Sequence, residues 1–316
     1  MDKFLISVVV PMYYEEDVVN ECFKRLKLVM ESNNLKYELV FVNDGSKDKT
    51  EEILQEIAIN NPMVRVINFS RNFGHQVAVT AGIEAAQGDA IVIIDADLQD
   101  PPEVIKDMIV LWKQGYEVVY AKRKKREGEK WIKLITAKYF YKFLNSMSDI
   151  NIPRDTGDFR LIDRKVADTF LNMPEKNRFI RGMISWIGFN QIAIEYIRNQ
   201  RFAGETKYPF KKMLKFAWDG IVSFSNRPLK IATNLGILSV GLSFIVLLYS
   251  LIIKFTSGNV ERGWTSIMVA ITFFSGVQML SLGILGEYIG RINEEIKNRP
   301  LYIVKSKINI EENKNS

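Results

Sequence analysis

Residues 90–103 read AIVIIDADLQDPPE, an apolar run that leads directly into an Asp-Ala-Asp triplet and then two prolines. The run Ile91–Ile94 is typical of a strand that is buried on both faces of a parallel sheet. Residues two apart in an extended chain point the same way, so Asp95 and Asp97 present two carboxylates at one point. Because like charges repel there, a divalent cation would stabilise the pair. The stretch predicts a buried strand with a cation site at its end.

Similar runs occur at regular intervals through the first 120 residues. The other predicted strands are Ile6–Val10, Leu39–Val42, Val64–Asn68 and Val118–Tyr120. Helical patterns occupy the intervals, at residues 16–31, 49–60, 76–87 and 103–114. Strands that alternate with helices in this way form βαβ units, so the sequence predicts an α/β fold with a mainly parallel sheet.

Polar residues follow the first four strands, in PMYYEE (11–16), NDGSKD (43–48), SRNFGH (70–75) and DADLQD (95–100). The carboxyl ends of parallel strands share one edge of the sheet, where ligands bind. A D-x-D triplet by itself is often a solvated turn, but opposite three polar strand ends it predicts a Mg²⁺ or Mn²⁺ site. Asp95 and Asp97 would supply its carboxylates, and Gln99 a neutral oxygen. Asp100, ahead of Pro101, is predicted to be a helix N-cap.

Several classes of site are excluded by composition and motifs. The chain has one cysteine and one histidine in 316 residues, so it cannot form an internal disulfide or a cysteine-rich metal centre. Neither a G-x-G-x-x-G after the first strand nor a Walker A loop is present, which argues against dinucleotide and P-loop sites. The net charge of +6 favours an anionic partner, and no nucleic-acid-binding motif accompanies it.

Two uncharged, mainly apolar segments lie near the C-terminus, at 231–253 and 264–286, and each has 23 residues. At ~1.5 Å per residue, either helix would be long enough to cross a hydrocarbon core of ~30 Å. A pair of buried core helices is the alternative. Basic residues on the outer flanks of the pair predict that both termini and the N-terminal domain lie in the cytoplasm. The sequence thus predicts a multi-pass protein of the plasma membrane.

This interpretation divides the chain into four parts. Residues 1–206 are predicted to form a cytoplasmic α/β domain. Residues 207–230, which mix aromatic residues with lysines, are predicted to form amphipathic interfacial helices. Residues 231–286 form a transmembrane hairpin, and 287–316 form a cytoplasmic tail.

The strand-end motifs resemble those of family 2 glycosyltransferases, which have the GT-A fold, and more narrowly the polyprenyl-phosphate glycosyltransferases. The matching stretches are PMYYEE, VNDGSKDKT (42–50), SRNFGHQVAVTAG (70–82), DADLQDPPE (95–103) and DTGDFRL (155–161). Towards the C-terminus, RFAGETKYPFKKMLKF (201–216), GEYIGRI (286–292) and RPLYIV (299–304) extend the resemblance to bacterial bactoprenol glucosyltransferases. One departure is Tyr14, where the family usually has Asn.

The resemblance implies roles for the matched residues in binding the donor. Nucleotide-sugar binding is implied for Pro11, Tyr13, Glu15, Asp44, Asp95, Ala96 and Asp97. Asp44 would accept a hydrogen bond from the uracil N–H, although an Asx-turn is the alternative for this residue. Asp95 and Asp97, assisted by Gln99, would hold the metal on the diphosphate.

Asp158 corresponds to the position where many family members keep a catalytic carboxylate. In this chain it would position the sugar, directly or through an arginine such as Arg181. The alternatives are a helix cap or a salt bridge with Arg160 or Arg164.

The implied acceptor is a lipid monophosphate, which needs cations around it. The candidates are Arg178, Arg181, Arg201 and Lys207. The basic run Lys122–Arg126 either contacts the acceptor or lies in solvent or against lipid headgroups. His75 has either a structural role or one at the edge of the substrate.

The predicted reaction is an inverting, metal-dependent transfer of a hexose from a UDP-sugar to undecaprenyl phosphate at the cytoplasmic membrane face. It would supply a lipid-linked sugar for cell-envelope glycans. Glucose is the favoured sugar, and N-acetylglucosamine, mannose and aminoarabinose remain alternatives. A catalytically dead, membrane-anchored binding protein is the competing hypothesis. The other expected partners are membrane lipid and a second copy of the chain.

Overall fold

The computed structural model describes residues 4–124, 156–197, 227–257 and 263–310. These residues fall into two compact units. The first unit contains residues 4–124, 156–197 and 300–310, and the second contains 227–257 and 263–299.

The first unit alternates strands and helices as the sequence pattern predicts. Its first part comprises β1 (Leu5–Met12), α1 (Val19–Ser32), β2 (Lys36–Asn43), α2 (Thr50–Asn60), β3 (Val64–Phe69), α3 (His75–Ala85), β4 (Ala90–Ile93), a 3₁₀ turn (Pro102–Val104), α4 (Ile105–Lys113) and β5 (Val118–Arg123). It continues with β6 (Thr156–Asp163), α5 (Arg164–Leu171), α6 (Ile180–Ile187), β7 (Gln191–Tyr196) and β8 (Val304–Ile308). All five predicted strands and all four predicted helices are confirmed.

The strands form one eight-stranded sheet in the order β7-β5-β6-β4-β1-β2-β3-β8. Strands β1 to β4 are parallel to one another, β5 is parallel to β7, and β6 and β8 are antiparallel to their neighbours. The predicted α/β fold with a mainly parallel sheet is therefore confirmed. Strand β1 is buried on both faces, because Val8 and Val10 lie in the core that includes Leu26 of α1, while Val9 approaches Gly82 of α3.

Strand β6 lies between β4 and β5 and runs antiparallel to both, which the helix-and-strand alternation does not predict. Its register pairs Ala90 with Asp163 and Ile93 with Arg160. Continuing that register by two residues sets Asp158 opposite Asp95. A residue far along the chain is thereby brought to the carboxyl end of β4.

The second unit consists of two helices, α7 (Arg227–Ser257) and α8 (Trp264–Ile296), which contact each other. Within the described ranges, no helix combines the length and apolar character needed to cross a membrane. The two predicted transmembrane helices, 231–253 and 264–286, are therefore not supported as membrane spans, and the predicted multi-pass location in the plasma membrane is contradicted. That prediction rested on the length and the lack of charge of two segments, which lie within α7 and α8.

Candidate active site

An ionic cluster lies where β4 ends and β6 begins, beside the start of α3. We call Asp95, Asp158, His75 and Arg181 the ionic cluster. His75 Nε2 lies 3.2 Å from Asp158 Oδ2 and 3.6 Å from Asp95 Oδ1. On the other side of Asp158, Arg181 Nε donates to Oδ1 at 2.7 Å, and Gln76 Nε2 donates to Oδ2 at 3.3 Å. The predicted link between Asp158 and Arg181 is thus present.

Burial and charge shift the pKa values in the ionic cluster in different directions. Burial raises the pKa of Asp95 to about 6, although the charge of His75 opposes this shift. Burial also acts to raise the pKa of Asp158, but the charge of Arg181 and the hydrogen bond from His75 outweigh it and hold this pKa well below its ordinary value. For His75, burial is outweighed by Asp158 and Asp95, which raise its pKa to about 9. At neutral pH an imidazolium therefore lies between two carboxylates.

Sequence reasoning left the role of His75 open, and the structure places it between the two acids. The sequence contained a signal for a role in the site, because the chain's one histidine lies in the polar segment that follows the third strand. In the structure it is the first residue of α3. What the sequence did not show is that β6 brings Asp158 to the same point.

The Asp-Ala-Asp segment turns sharply after β4. Asp97 Oδ1 accepts a hydrogen bond from the backbone N–H of Gln99 at 3.1 Å, and Leu98 between them has a φ of 56°. Left-handed backbone is uncommon for a bulky residue, and the buried Leu98 side chain holds this conformation in place.

The two acids fit a divalent cation in one specific respect. Asp95 Oδ1 is buried and accepts no hydrogen bond from the described residues, so it has acceptor capacity that a cation would use. Within the part of the chain that the structure describes, no group of three or more acidic, histidine or cysteine side chains could hold a metal. Two carboxylates alone suit Mg²⁺ or Mn²⁺, which take their remaining ligands from water and substrate phosphate.

Asp44 closes the neighbouring part of the sheet edge by binding the loop after β3. Its Oδ1 accepts from the Phe73 N–H at 2.6 Å, and its Oδ2 accepts from the Gly74 N–H at 3.0 Å and from Asn72 Nδ2 at 2.8 Å. Asp44 therefore does not form the Asx-turn considered for it; the side chain that bonds this turn is Asn43, whose Oδ1 accepts from the Ser46 N–H, three residues on, at 3.1 Å. Asp44 therefore orders the loop, and its contact with a base remains a prediction.

Gly45 lets the loops after β2 and β3 approach each other closely. Its φ is 69°, and a Cβ there would lie 2.3 Å from the carbonyl carbon of Arg71. Gly115 has a φ of 99°, and no atom lies within 4 Å of the position that a Cβ would take. A substitution of Gly115 therefore shows the cost of the backbone conformation alone, without a steric clash.

We expect Gly115→Ala to lower the free energy of unfolding by ~1–2 kcal/mol, the usual cost of left-handed backbone. Gly45→Ala should cost more than ~4 kcal/mol, because it adds a clash with main chain that cannot move aside. Urea unfolding followed by circular dichroism measures both. Equal losses in the two variants would contradict the close approach.

Tyr14 occupies a backbone position that favours a different residue. Its φ is 55°, and its N–H donates to Ser46 Oγ at 3.0 Å. Asn tolerates left-handed backbone better than Tyr does, which explains why the resembling family usually has Asn here. Tyr13 and Tyr14 meet edge to face and are each 40% exposed, so they offer aromatic surface beside the end of β1.

The other predicted donor residues lie at the same strand ends. Pro11 is buried in the last part of β1, and Glu15, just beyond it, has its N–H bonded to Thr50 Oγ1 at 3.0 Å. Ala96 is buried between the two acids that follow β4. Their positions do not show whether these residues contact a nucleotide, so their roles in binding the donor remain predictions.

The predicted acceptor cations are only partly within the described residues. Arg201 and Lys207 lie outside them, as do residues 125 and 126 of the basic run. Arg178 donates to the carbonyls of Met173 and Glu175 at 2.9 and 3.2 Å, and its guanidinium lies over the Phe170 ring. Those contacts give it a local structural function.

Asp100 has a different role from the predicted helix cap. The cap position of the following 3₁₀ turn is Pro101, with no side-chain cap, and Asp100 instead accepts from the Tyr196 hydroxyl and lies 3.8 Å from Arg123. Among the described residues, Asp158 forms ion pairs with His75 and Arg181, and neither of the salt bridges considered for it, with Arg160 or Arg164, is present. Arg160 donates to the main-chain carbonyl of Asp158, and Arg164 binds the carbonyls of Ala86 and Gly88.

Two family models match the chain. The model of glycosyl transferase family 2 matches residues 7–171, and that of the GtrB C-terminal hairpin matches residues 227–292.

Similar curated proteins match nearly end to end. An uncharacterized glycosyltransferase of Bacillus subtilis, YkcC, is 56% identical over 96% of this chain and 94% of its own length. A prophage-derived bactoprenol glucosyl transferase of Shigella flexneri is 42% identical over 95% of this chain and 97% of its own length. The prophage bactoprenol glucosyl transferase homolog of Escherichia coli is 43% identical over 95% of this chain and 98% of its own length.

Solved structures match more distantly. Glucosyl-3-phosphoglycerate synthase from Mycobacterium tuberculosis, in complex with Mn²⁺, UDP and phosphoglyceric acid, is 18% identical with a TM-score of 0.45. The match covers 70% of this chain and 77% of that structure.

Proposed function

This chain belongs to glycosyl transferase family 2, and from that premise we propose that it transfers a hexose from a UDP-sugar to undecaprenyl phosphate, with glucose as the favoured sugar. The observation that carries the proposal is the 42% identity to a bactoprenol glucosyl transferase over 95% of the chain. The match to the hairpin model extends this support beyond the sugar-transfer domain.

We assign a divalent cation, Mg²⁺ or Mn²⁺, to Asp95 and Asp97, with Gln99 as a neutral ligand. The support is the buried Asp95 Oδ1, which accepts no hydrogen bond from the described residues, and the position of both acids at the carboxyl end of β4. When bound, such an ion neutralises charge on a leaving diphosphate. Pro11, Tyr13, Glu15, Asp44 and Ala96 are proposed to line the nucleotide, because they lie at the ends of the adjacent strands.

The bond changes need no general base. An oxygen of the lipid phosphate attacks the anomeric carbon from the side opposite UDP, the carbon–oxygen bond to UDP breaks, and UDP leaves with the electron pair. The configuration at that carbon is therefore inverted. The second pKa of a phosphate monoester is about 6, so the nucleophile is already largely deprotonated at neutral pH.

We propose that Asp158 positions groups in the site and does not remove a proton. Although burial acts to raise its pKa, Arg181 and His75 hold that pKa well below its ordinary value, and such a carboxylate is a weak base. Arg181 is the acceptor cation that the ionic cluster favours, because Asp158 orients its guanidinium. Arg178, Arg201 and Lys207 remain predicted phosphate ligands.

The purified protein should convert undecaprenyl phosphate to a sugar-phosphate lipid when incubated with Mg²⁺ and the correct donor. A panel of UDP- and GDP-sugars, with mass spectrometry of the lipid product, identifies both sugar and nucleotide. UDP-glucose is expected to give the highest kcat/KM. If only UDP-N-acetylglucosamine or another donor is converted, that sugar replaces glucose as the assigned substrate. If no donor is converted, the result favours a catalytically dead binding protein.

A further inference from the structure

Strand β8 brings the far end of the chain to the edge of the sheet that carries the candidate site. Ser306 in β8 pairs with Asn68 in β3, Asn68 pairs with Asn43 in β2, and Asn43 pairs with Met12 in β1. These residues form one row across four strands. The row lies at the carboxyl ends of β1, β2 and β3, where the loops of the site begin.

Side chains of this row form a continuous series of hydrogen bonds, which we call the amide relay. Asn68 Nδ2 donates to Ser306 Oγ at 3.0 Å, and Asn43 Nδ2 donates to Asn68 Oδ1 at 3.0 Å. The Ser46 N–H then donates to Asn43 Oδ1 at 3.1 Å, and the Tyr14 N–H donates to Ser46 Oγ at 3.0 Å. The relay therefore joins β8 to the loops after β1 and β2.

Burial makes the orientation of each amide in the relay important. Asn43 and Asn68 are each only 1% exposed, so an unsatisfied group on either would carry a desolvation cost. The Nδ2 of each amide donates towards β8, and the Oδ1 of each amide accepts from the side of the candidate site. The hydrogen bonds therefore fix the orientation of both amides. Losing the hydroxyl of Ser306 would remove the acceptor that sets this direction.

A second set of contacts joins the same terminal segment to the loop after β3. The Ser70 N–H donates to the Ile303 carbonyl at 3.0 Å, and the Tyr302 ring stacks on Phe69 with 4.9 Å between centroids. Phe69 in turn meets Phe73 edge to face at 5.6 Å. Because Asp44 binds the Phe73 N–H, residues 302–306 support both sides of the nucleotide part of the site.

We propose that Ser306 is a positioning residue. Through the amide relay it holds the loops after β1 and β2 in the arrangement that the donor nucleotide needs, an inference that rests on the proposed function. Ser306 touches no reacting atom, so its loss should weaken donor binding and leave the chemical step largely unchanged.

The test compares Ser306→Ala with Ser306→Thr, which keeps a hydroxyl, and with Lys307→Ala, an exposed neighbour on the same strand. Titration calorimetry with UDP and Mn²⁺ should show a dissociation constant raised ~3–10-fold in Ser306→Ala, the size expected for one partly buried hydrogen bond. The donor KM should rise by a similar factor, with kcat within about twofold. Ser306→Thr should restore most of the affinity, and Lys307→Ala should behave like the unmodified protein.

Amide hydrogen exchange tests the relay independently of the donor. In Ser306→Ala the Ser46 and Tyr14 amides should exchange faster, while both controls leave them protected. Unchanged exchange at these amides would overturn the inference, as would UDP affinity equal to that of Lys307→Ala. If the unmodified protein binds no UDP, the proposed donor is wrong, and amide exchange alone decides whether Ser306 positions the loops.

Discussion

Asp97→Asn should lower the turnover number by at least ~100-fold, the size found when one preorganised electrostatic group is lost from an active site. The substitution keeps the shape of the side chain and removes one of the two carboxylates that follow β4. The remaining acid, Asp95, would then hold a divalent cation weakly. Removal of divalent ions from the unmodified enzyme with EDTA should produce a loss of similar size, and Mg²⁺ or Mn²⁺ should reverse it.

A binding measurement separates the metal assignment from activity. Titration calorimetry should show weaker binding of Mn²⁺ in the presence of UDP for Asp97→Asn. Asp107→Asn is the matched control, because Asp107 lies exposed on α4 and loses the same charge. If Asp97→Asn turned over normally in the presence of EDTA, the assignment of the metal to these two acids would be refuted.

Asp158→Asn should also reduce kcat by ~100-fold or more, because it removes the charge that orients Arg181 and His75. Arg181→Gln should produce a loss of similar size. If the two residues act as one unit, the double variant should lose little more than either single variant. Steady-state kinetics of the four proteins measure this coupling.

The pH dependence of kcat distinguishes positioning from proton removal by Asp158. If Asp158 only positions, kcat falls in Asp158→Asn, and the low-pH limb stays near the second pKa of the acceptor phosphate, about 6. If Asp158 is a base, that limb reports its carboxylate and should vanish in the variant. A vanished limb, or fully additive losses in the double variant, would contradict the positioning role.

The two acids of the ionic cluster differ in the contacts that the protein makes with them. Asp158 is bound by Arg181, His75 and Gln76, so its charge is compensated by the protein itself. Asp95 has His75 at 3.6 Å and a buried oxygen that accepts no hydrogen bond from the described residues. Asp95 is therefore suited to a bound ion and Asp158 to orienting its neighbours, a division that the residue types alone do not reveal.

The sequence by itself determined the strands and helices of the first 120 residues. Their periodicity depends on neighbours a few positions apart, and β-branched runs alternate regularly with helical patterns. It also placed the polar segments at the strand ends, because the carboxyl ends of parallel strands meet at one edge. The Asp-Ala-Asp motif and the family resemblance followed from short stretches of residues that can be read directly.

The tertiary structure decided which distant segments join that edge. Strand β6 inserts antiparallel beside β4 and brings Asp158 to Asp95 and His75, while β8 joins β3 and brings Ser306 to Asn68. It also contradicted the membrane prediction, because no helix within the described ranges combines the length and apolar character needed to cross a membrane. Local periodicity shows that a segment can form a strand. Which strand it pairs with depends on which edge of the sheet is still unpaired once the core is packed. That choice is a property of the whole fold, and it is what assembled the ionic cluster.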